Sequence, residues 1–411
     1  MSDASDGMRY PERRDGVLAE HVVARQLWGA APFFLLDVGC SGGIEQRWRI
    51  FGDRLRAIGF DPLVAEIDRL NAANANAGVS YVAAFVTCRD YDTLFPRELR
   101  SDRIASKNDD PFQRVSAVAA QDRFEVSYVQ DVFNAGAPVV MTERTVSLDD
   151  VIEPHDRPHV DFLKIDTDGH DIEAVLGAKA IMAAGGILGL KVEVQLHGPI
   201  HPYANTFANI DRVLRERGFT LFDLATYRYS RKHLPAPFLF DLAAQTTSGQ
   251  VVWGDAVYFR DLGSLDYERM WAYEITPERV LKLASLFDLF ELPDCAAELL
   301  VNRSSLVPAD DHGRLLDLLA SGEPGSYAAH IGLFEQDYKA FYPSVRAAAS
   351  SRPAPGTTRG EQDEVPAKQI RRLRDRLIAL RDKNASLRER LKAKSDRIDQ
   401  LTRRLERDQG S

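Results

Sequence analysis

Cysteine is scarce in this chain, with three in 411 residues, at Cys40, Cys88 and Cys295. They are odd in number, far apart and lack any C-x-x-C spacing. That excludes a disulfide framework and a structural zinc site, and it fits a reducing compartment, so a cytoplasmic location is expected. Long apolar runs are also missing. No stretch reaches 18 apolar residues without charge, so no membrane span is expected. The opening MSDASDGMRYPERRDG is followed by no apolar segment of the secretory kind. An excess of positive charge is absent too: 52 Lys and Arg stand against 61 Asp and Glu, a net −9, which argues against a dedicated nucleic-acid binder. No repeat of solenoid length occurs.

What is present is an ordinary globular composition, 45% apolar and 27% charged, in a chain long enough for two or three domains. Residues 17–29 read as one amphipathic helix. PFFLLDVGCSGG is a buried strand ending in an acid and a glycine-rich turn. A helix follows at 46–51, then a second strand, LRAIGFDP, again ending in an acid, Asp61. A helix from Val64 leads to a third strand at 79–86. Residues 88–140 are irregular and polar, read either as a lid over a substrate or as surface decoration. The pattern resumes with a strand at 160–166, one helix over 171–186, a strand at 187–195, a helix from Phe207, and two last strands, TLFDLATY and DAVYFRD. Alternation of strand and helix predicts an α/β fold, a mostly parallel sheet with helices on both faces and one antiparallel member near its end.

Residues 264–348 carry helix signals and are read as a small helical subdomain. Residues 349–364 are a Pro, Gly and polar linker. In 365–409, positions 370, 377, 384, 391, 398 and 405 and the alternating three- and four-residue steps between them make a heptad repeat with Asn384 at one a position. This predicts a coiled-coil rod of roughly 50 Å, serving homo-oligomerisation or docking to a partner protein. Its e and g positions are mostly Arg and Lys, so a heteromeric acidic coil is the better electrostatic match, while the apolar seam still permits a homomer. Residues 365–411 hold 15 basic against 7 acidic residues, and the remaining 364 hold 37 against 54. An acidic body is thus joined to a basic rod.

The turn DVGCSGG bends sharply at its glycines and presents backbone N–H groups to a ligand. Asp61 stands at the next strand end, 22 residues after Gly39, where a carboxylate accepts from ribose hydroxyls. The spacing is not G-x-G-x-x-G, which turns the reading from NAD toward S-adenosylmethionine. With FLLDVGCSGGI and the phrase TVSLDDVIEPHDRPHVDFLKIDTDGHDIEAVLGAKAIMAAGGILGLKVEVQ, the chain resembles the FkbM family of S-adenosylmethionine-dependent methyltransferases over roughly residues 20–260. The resemblance implies a Rossmann-like class I methyltransferase domain at 31–263, preceded by an N-terminal helical segment at 1–30. It also implies O-methylation of a sugar, in a surface polysaccharide or glycoconjugate and beside a membrane-bound glycan assembly complex. Asp37, Gly39 and Asp61 match the family's cofactor residues, and Cys40, Ser41, Gly42, Pro62, Ala84 and Asp166 are expected around the same ligand.

Methyl transfer to a hydroxyl needs positioning and removal of a proton, by a general base or with the help of a metal. The candidates stand at the carboxyl ends of the fourth and fifth strands: Lys164, Asp166, Asp168, Glu193 and His197. Asp166 and Asp168 could hold a divalent ion with Glu193, one could be the base, or Asp168 could cap the following helix. Lys164 faces the same side as Asp166, either in the site or as structural glue. His170 and His201 are weaker candidates. Cys40 and Cys88 read as packing residues, and Trp48, Trp253 and Tyr203 as sugar-stacking or core aromatics. The competing function is a coiled-coil scaffold whose nucleotide-binding module is vestigial; an NAD-dependent oxidoreductase is weakened by the missing third glycine.

Overall fold

A computed structural model of the chain describes residues 16–95, 141–167, 169–198, 200–229, 246 and 249–341. The insertion beyond residue 95, Asp168, the linker and the heptad segment lie outside these residues. Helix α1 (Val17–Ala24) leads to β1 (Phe33–Val38), a 3-10 segment (Gln46–Arg54), β2 (Leu55–Asp61), α2 (Val64–Ala73), β3 (Val79–Ala83), β4 (Phe85–Thr87) and α3 (Tyr91–Leu94). Then come β5 (Thr145–Ser147), α4 (Leu148–Val151), β6 (Phe162–Ile165), α5 (Asp171–Leu176), α6 (Lys179–Ala183), β7 (Gly189–Gln195), α7 (Phe207–Arg215), β8 (Phe219–Tyr229) and β9 (Gln250–Arg260). The helices α8 (Tyr267–Trp271), α9 (Pro277–Leu289), α10 (Pro293–Asn302), α11 (Ala309–Leu319) and α12 (Ser326–Phe341) follow.

Seven strands form one sheet in the order β3-β2-β1-β6-β7-β9-β8. Neighbours are parallel from β3 through β7, and β9 runs antiparallel to both β7 and β8. This is the mostly parallel, Rossmann-like methyltransferase architecture that the resemblance implied. The strand order reverses between β1 and β6, and the crevice outside the carboxyl ends at such a point is where these sheets bind ligands.

The strands alternate between two cores because side chains alternate between faces. Phe33, Leu35, Phe162 and Phe259 join one cluster with α1, the 3-10 segment and α9 to α11. Phe34, Leu36, Leu163, Ile165, Val192 and Tyr258 join the other with α5 to α7. The first core is strongly aromatic: Phe33 stacks on Phe51 at 4.0 Å between centroids, and Phe259 meets Phe287 of α9 at 4.9 Å. Trp48 is buried there against Phe162 at 4.8 Å, a core residue rather than a sugar platform. Lys282 of α9 ties this layer to the sheet. Its ammonium reaches both oxygens of Asp161 at 3.0 and 2.9 Å, Glu278 at 2.8 Å and the carbonyl of Pro32 at 2.8 Å. Burial pushes the Asp161 carboxyl up to about 6, against the pull of Lys282.

Four differences from expectation stand out, and three of them arise from partners far along the chain. The first helix stops at Ala24 instead of residue 29, because Gln26 takes a left-handed conformation that turns the chain toward β1. The strand expected at 79–86 divides at Ala84: β3 stays in the main sheet, and β4 pairs in parallel with β5 in a separate ribbon. The last strand begins at Gln250, five residues before the expected Asp255. The helix expected over 171–186 is two helices broken at Gly177. A Cβ there would lie 2.1 Å from the carbonyl oxygen of Thr87, and the Gly177 carbonyl accepts from Ser147 Oγ and the Asp149 N–H, both at 2.9 Å, instead of continuing a helix.

Candidate functional site

At the reversal point, Asp37, the last residue but one of β1, stands in register with Lys164 on β6. Both are buried, at 1% and 7% exposure, which makes their pairing obligatory. Lys164 Nζ lies 3.2 Å from Asp37 Oδ1 and 3.5 Å from Asp166 Oδ2, and it donates to the carbonyl of Gly39 at 2.7 Å. Burial lifts the Asp37 carboxyl to about 6, with Lys164 pulling the other way. For Lys164, burial works against the charge, but the carboxylates of Asp37 and Asp166 outweigh it and hold the ammonium above its ordinary value. The Lys–Asp pair is therefore a clamp on the first residues of the glycine turn.

Gly39 can be nothing else. Its φ is +78°, and a Cβ would fall 1.7 Å from the carbonyl oxygen of Asp166. The turn is held from outside by Phe60, whose carbonyl accepts from the Gly39 and Cys40 N–H groups at 2.8 and 3.1 Å, and by Glu66, which accepts from Gly42 N–H at 2.9 Å. Arg69 pairs with Glu66 and, with the Gly42 N–H, holds its carboxyl down at about 2. Ser41 and Gly42 are exposed, and among the described residues nothing beyond the adjoining turn lies within 4 Å of where a Gly42 Cβ would be. Asp61, at the end of β2, accepts from Leu63 N–H at 2.9 Å. Burial raises its carboxyl, opposed by the N–H groups of Leu63 and Ser41. Pro62 accepts from Thr142 N–H at 2.9 Å, and Ala84 is buried with its N–H on the Asp61 carbonyl at 3.1 Å. Cys40 packs against Gly59 and Cys88 is buried; burial pushes both thiols up, Cys88 to about 11, so neither is an activated nucleophile.

Of the residues expected to act on the acceptor, Asp166 projects outward from this clamp with 45% of its side chain exposed. Asp168 lies outside the described residues. Glu193 is buried on β7, opposite Asp255 of β9. His197 has its Nε2 at 2.7 Å from the Val251 carbonyl and 2.9 Å from Gln250 Nε2, so the ring is seated on the start of β9. His201 accepts from Tyr203 N–H through Nδ1 at 3.2 Å. His170 is buried with Nδ1 2.9 Å from Glu173, which also accepts from Thr87 Oγ1 at 3.2 Å. Among the described residues, no group of three or more His, Cys, Asp and Glu converges to hold a metal ion.

Several acids of the long phrase hold the backbone together. Asp171 is wholly buried and accepts from Thr167 N–H, Gly169 N–H and the Asn205 amide, at 3.0, 3.3 and 2.9 Å, which fixes the loop that carries Asp166. Asp149 accepts from the N–H groups of Ala180 and Ile181 at 2.8 and 3.0 Å, capping α6 across the chain. A residue near the start of the phrase thus holds a helix 31 positions further along it.

Sequence reading missed Lys191, Tyr227 and Asp255. Lys191 alternates with Glu193 along β7 and stands in register with Lys164, a signal present in the sequence. Asp255 and Tyr227 had none, because only the register of β9 against β7 and β8 brings them to this edge. An open depression of about 550 Å³ lies at the other end of these strands, beside Phe219, Thr220 and Trp271. Its arginines are paired within it, Arg215 with Asp211 and Arg212 with Glu216, and it is remote from this edge.

Residues 98–221 match the family model of the methyltransferase FkbM domain. Over that stretch the chain is similar to FkbM methyltransferase domains. The match takes in β5, β6, β7 and α4 to α7 and ends in β8, so the Asp37–Gly43 turn lies before it. No curated protein matches the chain. Among solved structures it is similar to a TehB-like SAM-dependent methyltransferase from Corynebacterium glutamicum, at 11% identity over 62% of this chain and 91% of that one, with a TM-score of 0.23. It is also similar to a SAM dependent methyltransferase from Aquifex aeolicus, at 8% identity over 59% and 91%, with a TM-score of 0.23. No helix among the described residues is long and apolar enough to cross a membrane.

Proposed function

We propose that the protein transfers a methyl group from S-adenosylmethionine to a hydroxyl of a sugar, within a surface polysaccharide or glycoconjugate. The observation that carries this reading is the FkbM match laid over a sheet whose first two strands both end in buried acids beside a glycine turn. The residues fit the cofactor. Asp61 is a carboxylate at the position that accepts from ribose hydroxyls, and open space stands beside the exposed backbone of Ser41 and Gly42. Bound there, the cofactor supplies an electrophilic methyl on a sulfonium. Asp61 would hold the ribose, and the Gly39–Gly43 backbone, kept in shape by Asp37 and Lys164, would hold the amino-acid end, with Cys40, Pro62 and Ala84 as backbone neighbours. Rate then comes from in-line positioning and from acceptance of the hydroxyl proton. Of the groups expected for that, Asp166 stands exposed at the strand end, Glu193 is buried on β7 and His197 is seated on the start of β9.

The heptad segment would make the enzyme a homo-oligomer or dock it to a partner at a site of glycan assembly. Light scattering with and without residues 362–411 tests the homomer: a monomer in both cases rejects it. The catalytic reading is tested by calorimetry with S-adenosylhomocysteine, followed by transfer of labelled methyl from S-adenosylmethionine to cell-derived glycans. Binding is expected in the wild type and lost in Asp61→Ala. Absence of binding heat in the wild type would reject the reading.

A further inference from the structure

The carboxyl edge of the sheet has a second half that the cofactor turn leaves unused. Lys164 and Lys191 stand side by side in register on β6 and β7. Where Lys164 serves Asp37 and Asp166, Lys191 reaches Asp255 Oδ1 on β9 at 3.6 Å and Glu45, just past the glycine turn, at 4.0 Å. Tyr227 of β8 donates its hydroxyl to Asp255 Oδ2 at 3.2 Å. The Tyr227 ring stacks on Trp253 with centroids 3.9 Å apart and planes at 20°. Trp253 is the register partner of both Tyr227 and Gln195, the last residue of β7. Asp255, Trp253 and Tyr227 are all half-buried.

This group borders the cofactor half directly. A Cβ on Gly169 would lie 3.1 Å from Gln195 Nε2, which puts the loop carrying Asp166 over the end of β7. Burial raises the Asp255 carboxyl and the Tyr227 phenol; Lys191 opposes it at Asp255, Asp255 adds to it at Tyr227, and Asp166 adds a smaller push to both. Tyr227 and Trp253 cover one face of each other, and at a half-wet edge such a stack turns an outer ring face toward a ligand, with the phenol and indole N–H as polar tips. That is the chemistry that receives a sugar ring by its C–H face and leaves its hydroxyls to a neighbouring acid. Asp255 is held at both oxygens, and each carboxylate oxygen keeps a second lone pair for a further donor.

We propose that Trp253 and Tyr227 form the platform for the acceptor sugar and that Asp255 accepts the proton of the hydroxyl being methylated, with Lys191 and Tyr227 fixing its orientation. This rests on the O-methyltransferase reading above. In the step, the hydroxyl oxygen forms a C–O bond to the methyl carbon, and the C–S bond breaks with its electron pair returning to sulfur. The hydroxyl proton passes to an Asp255 oxygen and then to water. The products are a methyl ether and a neutral thioether.

The test uses the full chain and three readouts. Binding of S-adenosylhomocysteine is measured first and is expected to be equal in the wild type, Asp255→Asn and Trp253→Ala, which also shows that the variants fold. Methyl hexosides are then titrated against tryptophan fluorescence in the presence of S-adenosylhomocysteine, with a quench expected in the wild type and lost in Trp253→Phe. Steady-state transfer to the glycan acceptor follows. Asp255→Asn is expected to lower kcat by ~100-fold or more with little change in KM. Trp253→Ala is expected to raise KM by roughly 10-fold with kcat largely kept. Wild-type kcat in Asp255→Asn, or wild-type KM in Trp253→Ala, would overturn the proposal and leave the methyltransferase reading standing. Failure of the wild type to methylate any sugar would sink both.

Discussion

Lys164 stands 3.2 Å from Asp37, and the two close one buried ion pair across β1 and β6. Burial still wins over the ammonium at Asp37, whose carboxyl is raised to about 6 from an ordinary 3.8. A carboxyl raised on folding holds its proton more tightly in the folded chain. Its cost to stability is therefore absent below about pH 4, grows between there and about pH 6, and is complete above. Roughly two pH units correspond to about 3 kcal/mol. Asp37→Asn should remove that part of the profile, so its stability relative to wild type improves by about that much from pH 4 to 7. Lys164→Met leaves burial unopposed and should carry the falling limb past pH 6. Urea midpoints across this range measure both; parallel profiles in all three proteins would contradict the assignment.

Asp149, just after β5, ties its own short helix α4 to α6. It lies 7% exposed and is the acceptor for the first N–H groups of α6. Asp149→Ala leaves those donors without their carboxylate, at about 2–4 kcal/mol from a lost cap and unsatisfied buried groups. The expected result is a lower urea midpoint, with S-adenosylhomocysteine affinity of the folded protein unchanged. Full stability with lost methyl transfer would instead mean that Asp149 works on the reaction.

What the sequence made legible was local. An apolar run ending in an acid and glycines marks a strand end, and Asp37, Gly39 and Asp61 were found that way. The Lys164–Asp166 pair was readable because alternation puts both on one face. What stayed hidden depends on partners far along the chain. Nothing around Gly177 says that the carbonyl of Thr87 will press on it, so two helices read as one. Asp255 begins the last strand in a pattern reading; only pairing with β7 and β8 extends that strand to Gln250 and sets Asp255 opposite Glu193.

The tie between Lys282 and Asp161 spans 121 residues of sequence. Both groups are almost fully enclosed, at 2% and 5% exposure, and Asp161 also accepts from Phe34 N–H of β1 at 2.8 Å. Removing one partner of such a pair strands the other, which typically costs about 3–5 kcal/mol, whereas replacing both with neutral groups costs far less. Lys282→Met should therefore lower the unfolding free energy by about that amount. Adding Asp161→Asn should return most of it, because the amide oxygen can still accept from Phe34 while the buried charge is gone. A double-mutant cycle by urea unfolding measures the coupling. Additive losses in the double variant would show that the two side chains stabilise the layer of α9 separately and not as a pair.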